Sequence, residues 1–389
     1  MSARNHRWSG VMRMGLLLLL SVSAPSWAQE EKPLDPAQPT SATLSEPITH
    51  QVELRVVITP PAGTRQLKVW LPLPPSDETQ TIERRQLETF PQVVEPTLHT
   101  EAVYGNRFAH FVFDQPAGAQ IVTHRFEATL HNLHWNLRTD EVTSVDLWPE
   151  AFAPYLRPQA ILDEQELQAA LAGALPQAAD PTAGLLTAMR WIDQNVTYDH
   201  ARASLAADAN HALTGGVGHC SDYHGLCATM GRKLGYPTRV TYGLHLFAKA
   251  SPSHCKLEAF LPPYGWISFD LSETQKLVAK ISADQTLTPK QKKELTAAAR
   301  ARLESGFREN SWLLVTKGTS YDLAPPAANG PVSVVRTIYA EADGQPLPEP
   351  DPANPHVHKF AWMTAHKFEA SKPFVKPFEE IRTLKEAPR

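Results

Sequence analysis

The spacing of apolar residues changes once along this chain, near residue 146, and this change constrains the fold more than any other feature. Before it, apolar and polar residues alternate within residues 52–58, 67–73, 107–113 and 121–130. Alternation of this kind is typical of strands that bury one face in a core. We therefore predict an all-β domain over residues 48–150, with the architecture of a β-sandwich.

Helical spacing replaces this alternation after residue 146, and strands then return. Apolar residues recur on one helical face between residues 185 and 196, and a second helix is predicted over residues 221–234. Further elements are predicted as strands at residues 238–246, 254–261 and 266–271 and as a charged helical insertion near 288–306. We therefore predict an α+β fold, in which residues 151–345 combine helices with an antiparallel sheet.

The first residues have the composition of an export signal. Arg4, Arg7 and Arg13 make a basic start, an apolar run spans residues 14–20, and Ser26-Trp27-Ala28 fits a cleavage site with small residues. The apolar run is short for a membrane span, which needs about 20 residues; an uncleaved anchor is the alternative. We expect residues 1–28 to be a signal peptide, and the rest to be periplasmic or otherwise exported and not an integral membrane protein.

Length and composition limit the organisation and the partners. A chain of 389 residues exceeds one ordinary core, which predicts two domains with a flexible leader at 29–47 and a proline-rich tail at 346–389. The formal net charge of −4 offers no basic field that would attract nucleic acid. The three cysteines are too few for a disulfide framework. We therefore expect no nucleic acid partner, and the oligomeric state stays open.

Cys220 follows the glycine-rich segment Gly215-Gly216-Val217-Gly218 and directly precedes the second predicted helix. Unpaired backbone N–H groups and the helix dipole stabilise an anion at such a position, which lowers the pKa of a thiol. A thiolate attacks acyl carbons when a base stands beside it and an acceptor orients that base. Cys220 is therefore a candidate nucleophile.

The predicted hairpin after this helix supplies both partners. If its turn lies near Pro263, antiparallel pairing sets His254 across from a residue close to Asp270. Asp270 would then accept from one imidazole nitrogen and leave the other to face the thiol. Cys220, His254 and Asp270 are therefore the predicted catalytic residues.

The other two cysteines are predicted to be small buried hydrophobic residues. Cys255 follows His254 on a strand, so its side chain should point to the opposite face and away from Cys220. Cys227 lies two turns along the helix, about 10 Å in rise, which is too far from Cys220 for a disulfide. A bond between Cys227 and Cys255 stays open as an alternative.

An ordered set of segments resembles the core of the bacterial transglutaminase-like superfamily, which has a papain-like cysteine catalytic core. The matching positions are Gly218-His219-Cys220-Ser221-Asp222-Tyr223, Leu234-Gly235-Tyr236-Pro237-Thr238-Arg239, Gly243, His254, Glu258, Pro262, Tyr264-Gly265-Trp266 and Asp270. Val69-Trp70-Leu71-Pro72-Leu73-Pro74 is similar to part of the β-domain that precedes this core in many such proteins. Two positions after the histidine, where the family often has an aromatic residue, this chain has Lys256, which leaves the acyl donor undefined.

The resemblance implies a cysteine enzyme that acts on amide or peptide bonds through a thioester, as a protease, an amidase or an acyltransferase, and the predicted signal peptide implies that this enzyme is exported. Cys220 would be the nucleophile, His254 the base and acid, and Asp270 the orienting acceptor. The substrate would be a protein or peptide, and no cofactor is implied. The second oxyanion donor, beside the Cys220 N–H, stays open between Trp191 and Tyr198.

Two other functions compete with this one. A catalytically inactive transglutaminase-like module would keep the fold and serve binding or assembly in the cell envelope. A zinc site could use His219, Cys220, His224 and His254 as ligands. Adjacent His219 and Cys220 diverge in direction, and the sequence has no CxxC pair, so we predict no metal site.

Overall fold

The computed structural model describes residues 33–157, 159, 161, 163–177, 181–249, 251–350 and 361–385. The predicted signal peptide at residues 1–28 lies outside these ranges. Within them, no helix has the length and apolar character needed to cross a bilayer.

The elements fall into an early run of strands and a later mixture of helices and strands. The early strands are β1 (Thr43–Ile58), β2 (Gln66–Leu73), β3 (Gln80–Phe90), β4 (Thr97–Thr100), β5 (Arg107–Asp114) and β6 (Gln120–His134). The later strands are β7 (Thr197–Tyr198), β8 (Val217–Gly218), β9 (Thr238–His245), β10 (Ser253–Leu261), β11 (Gly265–Phe269), β12 (Phe307–Arg308), β13 (Trp312–Lys317), β14 (Tyr339–Ala342), β15 (Gln345–Pro346) and β16 (Trp362–Ala370). The helices are α1 (Ala153–Leu156), α2 (Glu164–Leu171), α3 (Pro181–Asn195), α4 (Ala209–Gly215), α5 (Cys220–Lys233), α6 (Leu271–Ala283) and α7 (Pro289–Glu304).

Two antiparallel sheets form the N-terminal sandwich. The first has the order β12-β6-β1-β16, with β3 also paired to β6, and the second has the order β15-β14-β2-β5-β4. Apolar side chains such as Val56, Val69 and Phe111 fill the space between them. The alternating burial along β1 accounts for this arrangement, because one face of the strand is buried while the other meets solvent.

A third sheet carries the helix that begins at Cys220. Its order is β11-β10-β9-β13, and α5 packs on β10 and β9. Leu257, Ala259 and Leu261 of β10 share a core with Tyr223 and Leu226 of α5. The predicted α+β class is confirmed, with strands ahead of a helix that packs on an antiparallel sheet.

The observed boundaries depart from those predicted from the sequence. Strand β1 begins at Thr43, inside the predicted leader at 29–47. Strand β16 lies in the predicted tail at 346–389 and pairs along β1, with Trp362 opposite Ile58. Strand β14 falls within residues 151–345 but pairs with β2 of the sandwich. Both β16 and β14 satisfy the backbone groups of an earlier strand that would otherwise be an open edge.

The sandwich and the third sheet share one continuous buried surface. Val52 on β1 packs with Leu244 and Leu313 of the third sheet, whereas Leu54, two residues along the same face, packs in the sandwich core. The chain from Asp35 onward therefore forms one compact unit, where the sequence predicted two domains.

Candidate active site

Cys220 is the first residue of α5, and a side-chain cap holds the helix N-terminus in place. The Asp222 carboxylate accepts the backbone N–H of His219 at 3.1 Å, and the His219 ring accepts the N–H of Ser221 at 3.3 Å. The preceding Gly218 is needed here, because a Cβ at that position would lie 2.6 Å from the Cβ of Asp222. The capped N-terminus therefore presents Cys220 to the positive end of the helix dipole.

His254 and Asp270 meet at the neighbouring strands, as the hairpin prediction required. Leu257 of β10 pairs with Phe269 of β11, so Lys256 comes opposite Asp270 and His254 lies diagonal to it. His254 Nε2 donates to Asp270 Oδ2 at 2.7 Å. The other ring nitrogen, Nδ1, stays available to the thiol, and the His254 side chain contacts Cys220.

The three predicted catalytic residues are thus brought together, and their roles in a reaction stay a prediction. Asp270 directly follows β11 and caps α6, because its carboxylate accepts the Glu273 N–H at 3.0 Å. Cys220 and His254 are 7% and 4% exposed, so any acyl group must reach them through a nearly closed site.

Charges around the site favour an ion pair between thiolate and imidazolium. A hydrogen bond from Cys255 lowers the pKa of Cys220 well below that of a free thiol despite burial, and His219 and His254 add to the effect. Burial would lower the pKa of His254, but Asp270 and the Cys220 thiolate raise it to about 9. Burial would raise the pKa of Asp270, but His254 and Lys256 hold it well below its usual range. Neutral pH therefore favours the reactive form of the thiol.

Lys256, the departure from the family pattern, is completely buried. Its Nζ contacts Asp270 Oδ2 and lies 2.9 Å from Glu309 Oε2. Burial would lower the pKa of Lys256, but the two carboxylates raise it, so the side chain stays charged. Lys256 therefore supports Asp270 from behind and does not line an exposed substrate groove.

The predicted orientation of Cys255 was wrong in one respect. Alternation does place Cys255 on the face of β10 opposite to His254, and that face packs on α5. The helix begins over the start of β10, so Cys220 contacts both His254 and Cys255. All three cysteines are free, so the alternative bond between Cys227 and Cys255 is not formed.

Polar and cationic groups surround the thiol. Burial and the charge of Cys220 raise the pKa of Tyr198, so the Tyr198 hydroxyl keeps its proton beside the thiol. Of the two oxyanion candidates, Tyr198 therefore has an electrostatic link to Cys220, whereas the partly buried Trp191 packs against the helical core. Arg336, which the sequence did not single out, lies 3.0 Å from the His219 ring and is held by Glu349 at 2.6 Å.

The potential metal ligands that lie close together in the structure differ from the four weighed in the sequence, His219, Cys220, His224 and His254. Within the described residues, His245, His254 and Glu273 each place one donor atom within 4.8 Å of the others. Glu273 already pairs with Lys276 at 2.8 Å. A cation here would also displace the proton on Nδ1 of His254 that faces Cys220. His224, from the earlier set, is occupied by the Leu271 N–H at 3.2 Å.

Comparison with known proteins gives one family and one fold. Residues 169–271 match the transglutaminase-like superfamily. An uncharacterized protein of Haemophilus influenzae is 24% identical in an alignment 187 residues long, which covers 42% of this chain and 49% of that protein. The chain thus spans about half the length of this relative.

Solved structures support the same fold. A candidate cysteine protease from Cytophaga hutchinsonii is 15% identical and superposes with a TM-score of 0.55, covering 87% of this chain and 98% of the other. A structure named as a TGase is 13% identical over 40% of this chain and 41% of its own, but its TM-score of 0.24 is too low to support an argument. Residues 169–271 are thus similar to the core of the transglutaminase-like superfamily, and the chain shares its fold with the Cytophaga hutchinsonii protein.

Proposed function

We propose that this chain is a cysteine enzyme that acts on amide or peptide bonds through a thioester on Cys220. One observation carries the proposal: the buried His254 links the Cys220 thiol to the Asp270 carboxylate, which accepts from His254 Nε2 at 2.7 Å. A thiol, a base and an acceptor in this order are the minimum set for nucleophilic acyl transfer.

Each group has a defined part in the proposed reaction. The Cys220 thiolate attacks the carbonyl carbon, and the backbone N–H of Cys220, at the N-terminus of α5, donates to the developing oxyanion. The His254 imidazolium gives its proton to the leaving amine, while Asp270 holds the ring in place. Water or a second amine, activated by the now neutral His254, then resolves the thioester. Hydrolysis is the expected outcome, because water is the abundant acceptor.

Export is a second part of the proposal. The basic start, the apolar run at 14–20 and the small residues around Ser26-Trp27-Ala28 support a cleaved signal peptide. N-terminal sequencing of the protein recovered from the envelope of an expressing cell tests this directly. A chain that still begins at Met1 in the cytoplasmic fraction would contradict it.

The reactive thiol is tested by the pH dependence of alkylation. Purified protein is treated with iodoacetamide at a series of pH values, and modification is measured for each cysteine peptide. We expect Cys220 to react well below the free-thiol pKa of about 8.5, and Cys227 to serve as an unreactive internal control, because burial raises its pKa. His254→Ala should shift the Cys220 profile to higher pH.

Turnover then separates an enzyme from a binding module. Peptide mixtures are incubated with wild type and with Cys220→Ala, and products are identified by mass spectrometry with and without an added primary amine. Products that depend on Cys220 support the enzyme, and incorporation of the amine distinguishes transfer from hydrolysis. A Cys220 profile equal to that of Cys227 would refute the proposal and favour the inactive envelope module, for which the low exposure of Cys220 and His254 is the supporting observation.

A further inference from the structure

Two of the three thiols meet in the buried space between α5 and β10. Cys220 lies at the start of the helix and Cys255 on the strand beneath it, where Cys255 Sγ lies 3.7 Å from Nδ1 of His224, one helical turn from Cys220 on the same face of α5. Both belong to the same apolar core, and Cys255 is completely buried. A structural cysteine would be expected to pack against apolar groups only, so this contact calls for a separate explanation.

His224 fixes the direction of the hydrogen bonds around Cys255. Its Nε2 accepts the Leu271 N–H at 3.2 Å, and burial lowers the pKa of His224 to about 4, so the ring is neutral and its proton lies on Nδ1. That nitrogen lies 3.7 Å from Cys255 Sγ and donates to it. The Cys255 S–H is then left to donate to the Cys220 thiolate. Both thiols therefore face the same buried space between α5 and β10, with Cys255 oriented by His224.

The two thiols differ sharply in acidity. The pKa of Cys220 lies well below the usual range, whereas burial and the neighbouring thiolate raise the pKa of Cys255 well above it. One sulfur is thus a nucleophile at neutral pH, and the other keeps its proton. Oxidation of a low-pKa thiolate beside a second thiol ends in a disulfide when the two sulfurs can meet.

We propose that Cys220 and Cys255 form a reversible disulfide when the protein meets a hydroperoxide, with Cys255 as the resolving residue. The Cys220 thiolate attacks one peroxide oxygen, an S–O bond forms as the O–O bond breaks, and the leaving oxygen takes a proton to become water or an alcohol. Cys220 is then a sulfenic acid. The Cys255 sulfur displaces its hydroxyl, which leaves as water with the Cys255 proton, and the S–S bond forms.

The site suits a small oxidant and favours the second step. Cys220 is 7% exposed, which admits a molecule the size of hydrogen peroxide more readily than a bulky thiol. Once Cys220 is oxidised, its negative charge is lost, and with it one of the causes that raise the pKa of Cys255. The disulfide consumes the proposed nucleophile, so the oxidised protein is inactive until a dithiol reduces it. This effect on activity rests on the proposed function, but formation of the bond does not.

The test uses the full chain and hydrogen peroxide. Reduced protein is exposed to increasing peroxide, quenched with iodoacetamide under denaturing conditions and digested without reduction. We expect a Cys220–Cys255 linked peptide, parallel loss of both residues from alkylation, unchanged Cys227, and full reversal by dithiothreitol. Cys255→Ser should lack the link and convert Cys220 to sulfinic acid severalfold faster, whereas the matched Cys227→Ser should behave as wild type.

Two outcomes would overturn the inference. Either Cys220 passes to sulfinic acid equally fast in wild type and Cys255→Ser, or it survives peroxide without forming a link. The alkylation profile of the reduced protein distinguishes this failure from failure of the proposed function. A Cys220 that alkylates at low pH but forms no disulfide leaves the enzyme proposal intact.

Discussion

Replacing Lys256 with methionine would remove the cation between Asp270 and Glu309 while keeping a long side chain in the same space. Lys256 is completely buried, and Asp270 and Glu309 are 1% and 2% exposed, so water cannot replace the lost charge. Asp270 would keep His254 at 2.7 Å. Glu309 would keep His245, 3.7 Å away, whose pKa burial holds well below its usual range so that it stays neutral, and the charge of Arg302 at longer range.

One buried carboxylate is therefore left without a cation in direct contact. Removal of one partner from a buried ion pair costs about 3–5 kcal/mol, and we expect Lys256→Met to lower the free energy of unfolding by this amount. Adding Glu309→Gln should recover part of the loss, because the orphaned charge is removed as well. Lys256→Arg, which keeps the charge, is the matched control and should lose less.

Denaturant titrations of the four proteins, followed by fluorescence, measure these differences. A loss below about 1 kcal/mol for Lys256→Met, the level of an exposed ion pair, would refute the reasoning. So would a double variant that is less stable than Lys256→Met alone.

Three further predictions concern charge and close packing. The charge on His254 contributes stability that is complete below its unfolded pKa of about 6.5 and is lost as the pH rises through about 9. The denaturation midpoints of wild type and His254→Gln should therefore converge between these two pH values. A difference between the midpoints that stays constant with pH would contradict this. Gly225→Ala should lower the free energy of unfolding by about 1–3 kcal/mol in a denaturant titration, because the added Cβ would lie 2.4 Å from the Ala207 carbonyl oxygen. Alanine favours helices more than glycine does, so a more stable variant would disprove the close contact. Asp222→Ala removes a capping side chain of α5, so it should lower the free energy of unfolding by about 1–2 kcal/mol in the same assay. It should also raise the pH at which Cys220 is alkylated. An unchanged pH profile of alkylation would show that the cap does not position the thiol.

Local sequence patterns were sufficient to predict the elements that carry the candidate site. The helix predicted at 221–234 is found at Cys220–Lys233, and the strand predicted at 254–261 at Ser253–Leu261. Both elements are bounded by glycine or proline, and both have a regular apolar face. The residues that indicate each element therefore lie within the element or next to it. Helix α6 was missed because residues up to 271 were read as strand. Asp270 followed by Glu273 three positions later was an available signal for a helix start.

Contacts between distant segments could not be predicted in this way. Lys256 is buried as a cation only because Glu309, 53 positions away, supplies a second carboxylate. Alternation predicts which face of β10 bears Cys255, but not that α5 begins over that face. Such contacts depend on how helices and sheets are placed against each other, and a single sequence carries little information about that placement.

The pairing of β1 with β16 makes the order of folding depend on a late part of the chain. Beside this pair, the Thr49 N–H bonds to Ser371 Oγ, 322 positions further along. Contacts between such distant residues form slowly, because a long loop must close before they contribute. During synthesis, β1 therefore lacks one neighbour until residues 362–370 have been made. Over that interval its open edge can pair with other chains, and this exposure ends only when β16 has been made and pairs with β1.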